Sequence, residues 1–124
     1  MWVKAKVFND IEIAVKILKQ NNPKIIKALG RKVHNYNNKI WNNIRYYYMF
    51  KINLAKYTQN NDLKLKLLSS EYINRVFVEA SPYDNIWGIK MKINDPNIED
   101  SKNWNGQNLL GCVLTSIRDN FLKT

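Results

Sequence analysis

Up to Ser70 the apolar residues of this chain recur every three or four positions, and from Tyr72 they begin to alternate with polar ones. That switch of period most narrows what the chain can fold into, because a 3.6-residue period belongs to a helix face and a two-residue period to a strand. The helical half divides at its own stop signals. "MWVKAKVF" has helix-compatible spacing of Trp2, Lys6 and Phe8. Asn9 or Asp10 can cap a helix with Ile13, Ile17 and Leu18 on its apolar side, ending near Asn21-Asn22. "NPKIIKALGRK" restarts, with Asn22 as cap, Pro23 in the first turn and Gly30 as a left-handed C-terminal stop. A longer helix is predicted from Asn38 to about Thr58, with Ile40, Trp41, Ile44, Tyr48, Ile52 and Ala55 as its buried stripe. Asn60-Asn61-Asp62 caps a short one, "DLKLKLLSS".

After the switch, "YINRVFVEA" and "IWGIKMKI" read as two strands joined by a proline turn, "NDPNIEDSKNWNG" as a loop, and "QNLLGCVLTSIRDNFL" as a closing helix. Leu109, Leu110, Val113, Ile117 and Phe121 form its inward face. The expected class is therefore α+β, a mainly helical single domain over residues 1–124 with a small β-sheet. Two strands alone make a marginal sheet, so something that would complete it is expected ahead of Met1.

With 124 residues, 45% of them hydrophobic, there is material for one small domain and too much apolar content for disorder. No apolar run reaches the ~18 residues of a bilayer span. The charged N-terminus does not resemble a signal peptide, and a cytoplasmic protein with no membrane association is the expectation. Cys112 has no partner for a disulfide or a zinc site, and its neighbours Leu110, Val113 and Leu114 point to a buried thiol. The net charge of +10 suggests a nucleic-acid partner, but the lysines are scattered and no arginine cluster exists. A field this positive still favours phosphorylated ligands.

Three constellations could carry chemistry. In "EASPYDNIWGIKMKI", Asp84 either caps local N–H groups or faces a ligand, while Gly88 allows close backbone approach and Trp87 offers a flat face for a base or sugar. A carboxylate beside an aromatic suits cleavage of a glycosidic bond, since it steadies positive charge at the anomeric carbon. In "WNGQNLLG", Gly106 precedes a helix whose N-terminal N–H groups could take a phosphate, and Asn108 could offer its amide to a ribose or base; the alternative is that Asn105 and Gln107 simply cap the helix. In "ALGRKV", Arg31 could reach a phosphate or pair with a carboxylate such as Glu79. His34, the only histidine, reads as plain surface with nothing to orient it. No Ser–His–acid set, Walker loop, dinucleotide fingerprint or metal spacing is present.

Taken in order, "KAKVF", "NPKIIKALGRKV", Trp41, "LAKYTQN", "LLSS", "VEASPYDNIWGI" and "WNGQNLLGCVLTSIRDNFL" resemble the NADAR, or YbiA-like, superfamily. The likeness implies an N-glycosidase fold acting on phosphorylated ribosides, either riboflavin-pathway intermediates or ADP-ribosylated guanine in nucleic acid, with no metal or redox cofactor. The long loop "KMKINDPNIEDSKNWNG" is more similar to the ADP-ribosyl branch. A non-catalytic module binding ADP-ribose or a nucleotide is the alternative. By resemblance, Lys4 is a catalytic lysine able to attack an opened sugar aldehyde, and Asp84 is the acid of the "PYD" turn. Trp87, Gly88, Gly106 and Asn108 belong to the substrate-binding blocks, Arg31 to a phosphate contact, and Glu79 to the same binding region. Lys90 stands where many relatives have glycine, adding charge near a phosphate or filling ligand space. The resemblance also implies that the chain is shortened at its N-terminus, with the family's "ExYMM" glutamate falling ahead of Met1.

Overall fold

The structure, a computed structural model, describes residues 1–124 and contains six α-helices and no β-strand. They are α1 (Trp2–Val7), α2 (Ile11–Leu18), α3 (Pro23–Arg31), α4 (Asn38–Gln59), α5 (Asn61–Leu67) and α6 (Leu109–Lys123), with single 3-10 turns at Ser70–Tyr72 and Ser101–Asn103. The chain gathers into two compact units, Met1–Tyr48 and Met49–Thr124. None of the helices is long and apolar enough to cross a membrane.

The first unit is built where local signals are strong. Asp10 caps α2 through its carboxylate, which accepts from the Ile13 N–H at 3.1 Å. Asn22 caps α3 in the same way through Lys24, and Pro23 occupies the first turn, where its missing N–H costs nothing. Ala5, Phe8, Ile13, Ala14, Ile17 and Val33 form the core, with Leu29 and Trp41 packed against it. Gly30 departs from its expected role. No glycine has a positive φ, α3 continues through Gly30 to Arg31, and Lys32 ends it at φ −96°. Gly30 is small because the Met1 side chain lies where a Cβ would be.

The second unit packs α5 and α6 with the later turns of α4 around Leu67, Val113 and Ile117. The expected stripe of α4 is only partly used. Trp41, Ile44 and Tyr48 are half-buried, while Ile40, Ile52 and Ala55 are exposed, and Met49, Phe50, Leu54 and Tyr57 face the second core instead. Cys112 is exposed, contrary to the expected buried thiol. The inward positions of α6 are Gly111, Val113, Ile117 and Arg118, and Cys112 falls on the face between their turns.

The expected sheet is absent, and the class is all-helical rather than α+β. The alternating segment after Tyr72 satisfies one edge of its backbone without a strand partner. Its odd-numbered residues turn their peptide groups toward α6. Phe77 N–H donates to Thr115 Oγ1 at 3.0 Å, Asn108 Nδ2 donates to the Phe77 carbonyl at 3.0 Å, and Glu79 N–H donates to Asn108 Oδ1 at 2.9 Å. The Arg118 guanidinium, 3% exposed, donates to the Tyr72 and Arg75 carbonyls. Side chains of a helix thus do what a neighbouring strand would have done. The second expected strand is interrupted at Lys90, whose φ of 54° is left-handed backbone.

That conformation costs an L-residue roughly 1–2 kcal/mol and costs glycine almost nothing. Because the Lys90 side chain is exposed, Lys90→Gly removes strain without removing packing. It is expected to stabilise the chain by about 1 kcal/mol, read as a higher urea midpoint at unchanged slope.

Candidate functional site

The residues singled out by the sequence fall into both units, and each group has its own geometry. In the first unit, Lys4 sits on α1 with its Nζ donating to the Gly30 carbonyl at 2.8 Å and lying 4.4 Å from the centroid of the Tyr36 ring. Burial, and secondarily the positive charge of Arg31, push the Lys4 ammonium below the ordinary lysine value of 10.5. A lysine so placed carries more of the neutral, nucleophilic amine near neutrality than a free surface lysine does. Arg31 is exposed and makes no ion pair, so its guanidinium is available to an anion.

Close by in the chain order lies an arrangement the sequence did not reveal. Asp10 Oδ2 accepts both the His34 N–H at 2.8 Å and a contact of 2.9 Å from His34 Nδ1, although 24 residues separate the two. His34 remains exposed, but Asp10 fixes the orientation of its ring. The His34 and Ile13 backbone N–H groups hold the Asp10 carboxyl below the ordinary 3.8. A depressed folded value stabilises the fold above the unfolded value and loses that contribution as pH falls through the folded one. The chain should therefore weaken as pH drops below 3.8, and Asp10→Asn should flatten that part of a stability-versus-pH curve measured by thermal melting.

In the second unit, the turn Ser81–Gly88 and the start of α6 are bound into one knot. The turn's carbonyls accept from the beginning of the last helix: Asn85 from Gln107 N–H at 2.9 Å, Gly88 from Asn108 at 3.1 Å, Ile86 from Leu109 at 3.1 Å and Trp87 from Leu110 at 3.1 Å. The Asn108, Leu109 and Leu110 N–H groups, where a phosphate was expected, are thus already satisfied by protein backbone, as is that of Asn105, which donates to Ile89 at 2.9 Å. Neither Asn105 nor Gln107 caps the helix by its side chain. Asn108 is the cap residue, in left-handed conformation at φ 52° and 2% exposed. Its amide bridges Phe77 and Glu79 and so clamps the segment to the start of α6.

The glycines of this knot serve close chain-to-chain approach. A Cβ on Gly88 would stand 2.9 Å from the Glu79 carbonyl oxygen and 3.0 Å from that of Asp84. A Cβ on Gly106 would meet the Gly88 carbonyl oxygen and lie 2.9 Å from Asn85 Cα. Asp84 divides its carboxylate between two tasks. Oδ1 accepts from Ile86 N–H at 2.9 Å and Trp87 N–H at 2.8 Å, the local capping role. Oδ2 has no partner in the chain and is not sealed from solvent. Trp87 and Glu79 are half-buried, and the Glu79 carboxylate makes no ion pair. Two clefts of about 540 and 710 Å³ also lie in this unit, but Asp84 and Trp87 line neither of them.

A family model described as NADAR domain matches residues 1–122. The chain belongs to the NADAR family. Two relatives place it further. It is 41% identical over 117 residues to N-glycosidase R617 of Acanthamoeba polyphaga mimivirus, covering 94% of this chain and 67% of that protein. It is 39% identical over 121 residues to Protein irg-1 of Caenorhabditis elegans, covering 96% of this chain and 56% of that protein. This NADAR chain therefore spans a little over half of one relative and about two thirds of the other.

Proposed function

We propose that this NADAR chain hydrolyses the N-glycosidic bond of a phosphorylated riboside, with ADP-ribosylated guanine as the favoured substrate class. The observation that carries the reading is Lys4: a half-buried amine, its proton affinity lowered, held by a main-chain carbonyl beside an unpaired arginine. The 41% identity to a relative named as an N-glycosidase supports it.

The chemistry follows from the groups. Breaking the C1′–N bond leaves the electron pair on the base nitrogen, which takes up a proton, and leaves positive charge on the sugar. The Lys4 amine adds to C1′ of the sugar and gives up a proton; the C1′–O4′ bond then breaks, O4′ takes up a proton, and the resulting imine is hydrolysed by water, which restores the amine and leaves the sugar aldehyde. Arg31, in the same unit as Lys4, supplies a cation for the phosphate.

The test incubates the 124-residue chain with an ADP-ribosylated guanine oligonucleotide and, in parallel, with an aminopyrimidine ribose 5-phosphate, reading sugar release by mass spectrometry. Release is expected from the first. Arg31→Gln removes the cation at an exposed position, so it should fold normally and lower kcat/KM about tenfold or more. Binding of ADP-ribose without release from either substrate would replace the reading with that of a non-catalytic module.

A further inference from the structure

The segment Arg75–Glu79 has one satisfied edge and one empty one. Arg75, Phe77 and Glu79 spend their backbone groups toward α6 and its neighbours. The N–H and C=O of Val76 and Val78 point the other way and have no partner in the chain. From Arg75 to Ser81 there is no helix, turn or bend, so the segment presents the free side of a strand without belonging to a sheet. The side chains beside that edge are apolar and uncovered. Val76 is 61% exposed, Val78 38% and Ile93 81%, and the same three residues line both clefts of this unit. An open edge with an apolar margin is a template for another strand.

The sequence of the segment says which strand fits. "RVFVE" is its own complement when turned end for end: valines flank a central Phe77, and the two ends carry opposite charges. We propose that Arg75–Glu79 pairs antiparallel with the same segment of a second copy of this chain, about a twofold axis at Phe77. In that register Val76 of one copy faces Val78 of the other, and each such pair exchanges both of its N–H···O=C bonds. The register uses the free groups and leaves untouched those bound to α6. Arg75 of each copy then stands directly opposite Glu79 of its partner, and neither side chain has an ion pair within its own chain. A shift by one residue would instead bring the odd residues' occupied groups to the edge, so the alternation that fixes the inner contacts fixes the outer register too. A twofold pairing of one patch with itself is the commonest form of self-association.

Sedimentation equilibrium on the full chain from about 1 to 100 µM tests this, in the range where a short strand pair with a small apolar margin should dissociate. The unsubstituted chain is expected to convert from monomer to dimer across that range. Arg75→Glu places acid against acid at both ends of the pairing, and Glu79→Arg places base against base, so each alone should weaken the dimer at least about tenfold. The double exchange, R75E with E79R, restores opposite charges in the same register and should return association close to the original. Arg75 is exposed and Glu79 half-buried, and circular dichroism checks that each variant stays folded. A chain that is monomeric throughout, or a dimer for which the double exchange is no stronger than the single ones, overturns the proposal.

Discussion

Gly106→Ala is expected to cost about 3 kcal/mol or more and to leave little folded protein. The reason is the kind of atom that the new methyl would meet. Around Gly106 those atoms are the Gly88 carbonyl oxygen, Asn85 Cα at 2.9 Å and the Ile89 carbonyl carbon at 3.0 Å, all main chain. Side chains can rotate away from an added methyl, and overpacking then costs typically about 1–3 kcal/mol. Backbone can move only by breaking its hydrogen bonds. Here those are the Gln107–Asn85, Asn108–Gly88 and Asn105–Ile89 bonds that hold the turn onto α6. Against a total stability of about 5–15 kcal/mol for a domain, such a loss is large. Gly30→Ala is the control. Its added methyl meets only the flexible Met1 side chain, and it gains about 1 kcal/mol of helix propensity inside α3, so it should be tolerated. Urea melts of both variants check the contrast; equal costs would mean that the knot is not rigid.

The same knot shows where sequence reasoning succeeds and where it stops. The cap of α3 was legible because Asn22 and Pro23 act within one turn of chain. So was the extent of α4, whose helical period runs for six turns. The strands were misread because period two reports only that alternate residues face opposite ways. It does not report what receives them. For Phe77 and Glu79 the receivers are Thr115 and Asn108, about 30 to 40 positions later, and nothing local marks those two side chains as substitutes for a strand. The blocks "PYDNIWG" and "GQNLLG" meet in the structure, but the groups within them that touch are mostly carbonyls and N–H groups, which every sequence has. Their glycines and Asn108 therefore support the turn that carries Asp84 and Trp87. His34 was passed over for a similar reason, since its partner Asp10 reads locally as a helix cap and performs that task as well.

Lys4 carries the second large effect. Replacing it by Met is expected to lower sugar release at least about a thousandfold, because no other group would supply the attacking amine. Lys4→Arg decides what the lysine does. Arginine keeps the positive charge and can still donate to the Gly30 carbonyl, but it is never a neutral nucleophile at accessible pH. If Lys4 served only to hold a phosphate or the end of α3, Arg would retain most of the activity. If the amine bonds to C1′, Arg should be as inactive as Met. Two further readouts separate chemistry from folding. Borohydride added during turnover should reduce an imine and leave the sugar attached at Lys4, visible as a mass increase on the peptide containing it. The rate should also rise with pH along a limb whose midpoint lies below 10.5, in the direction that burial and Arg31 displace this ammonium. Removing the 2.8 Å bond to Gly30 costs the fold only about 1 kcal/mol, so a folded, inactive Lys4→Met is the expected product. An active Lys4→Arg with no trapped adduct would assign the bond cleavage to another group.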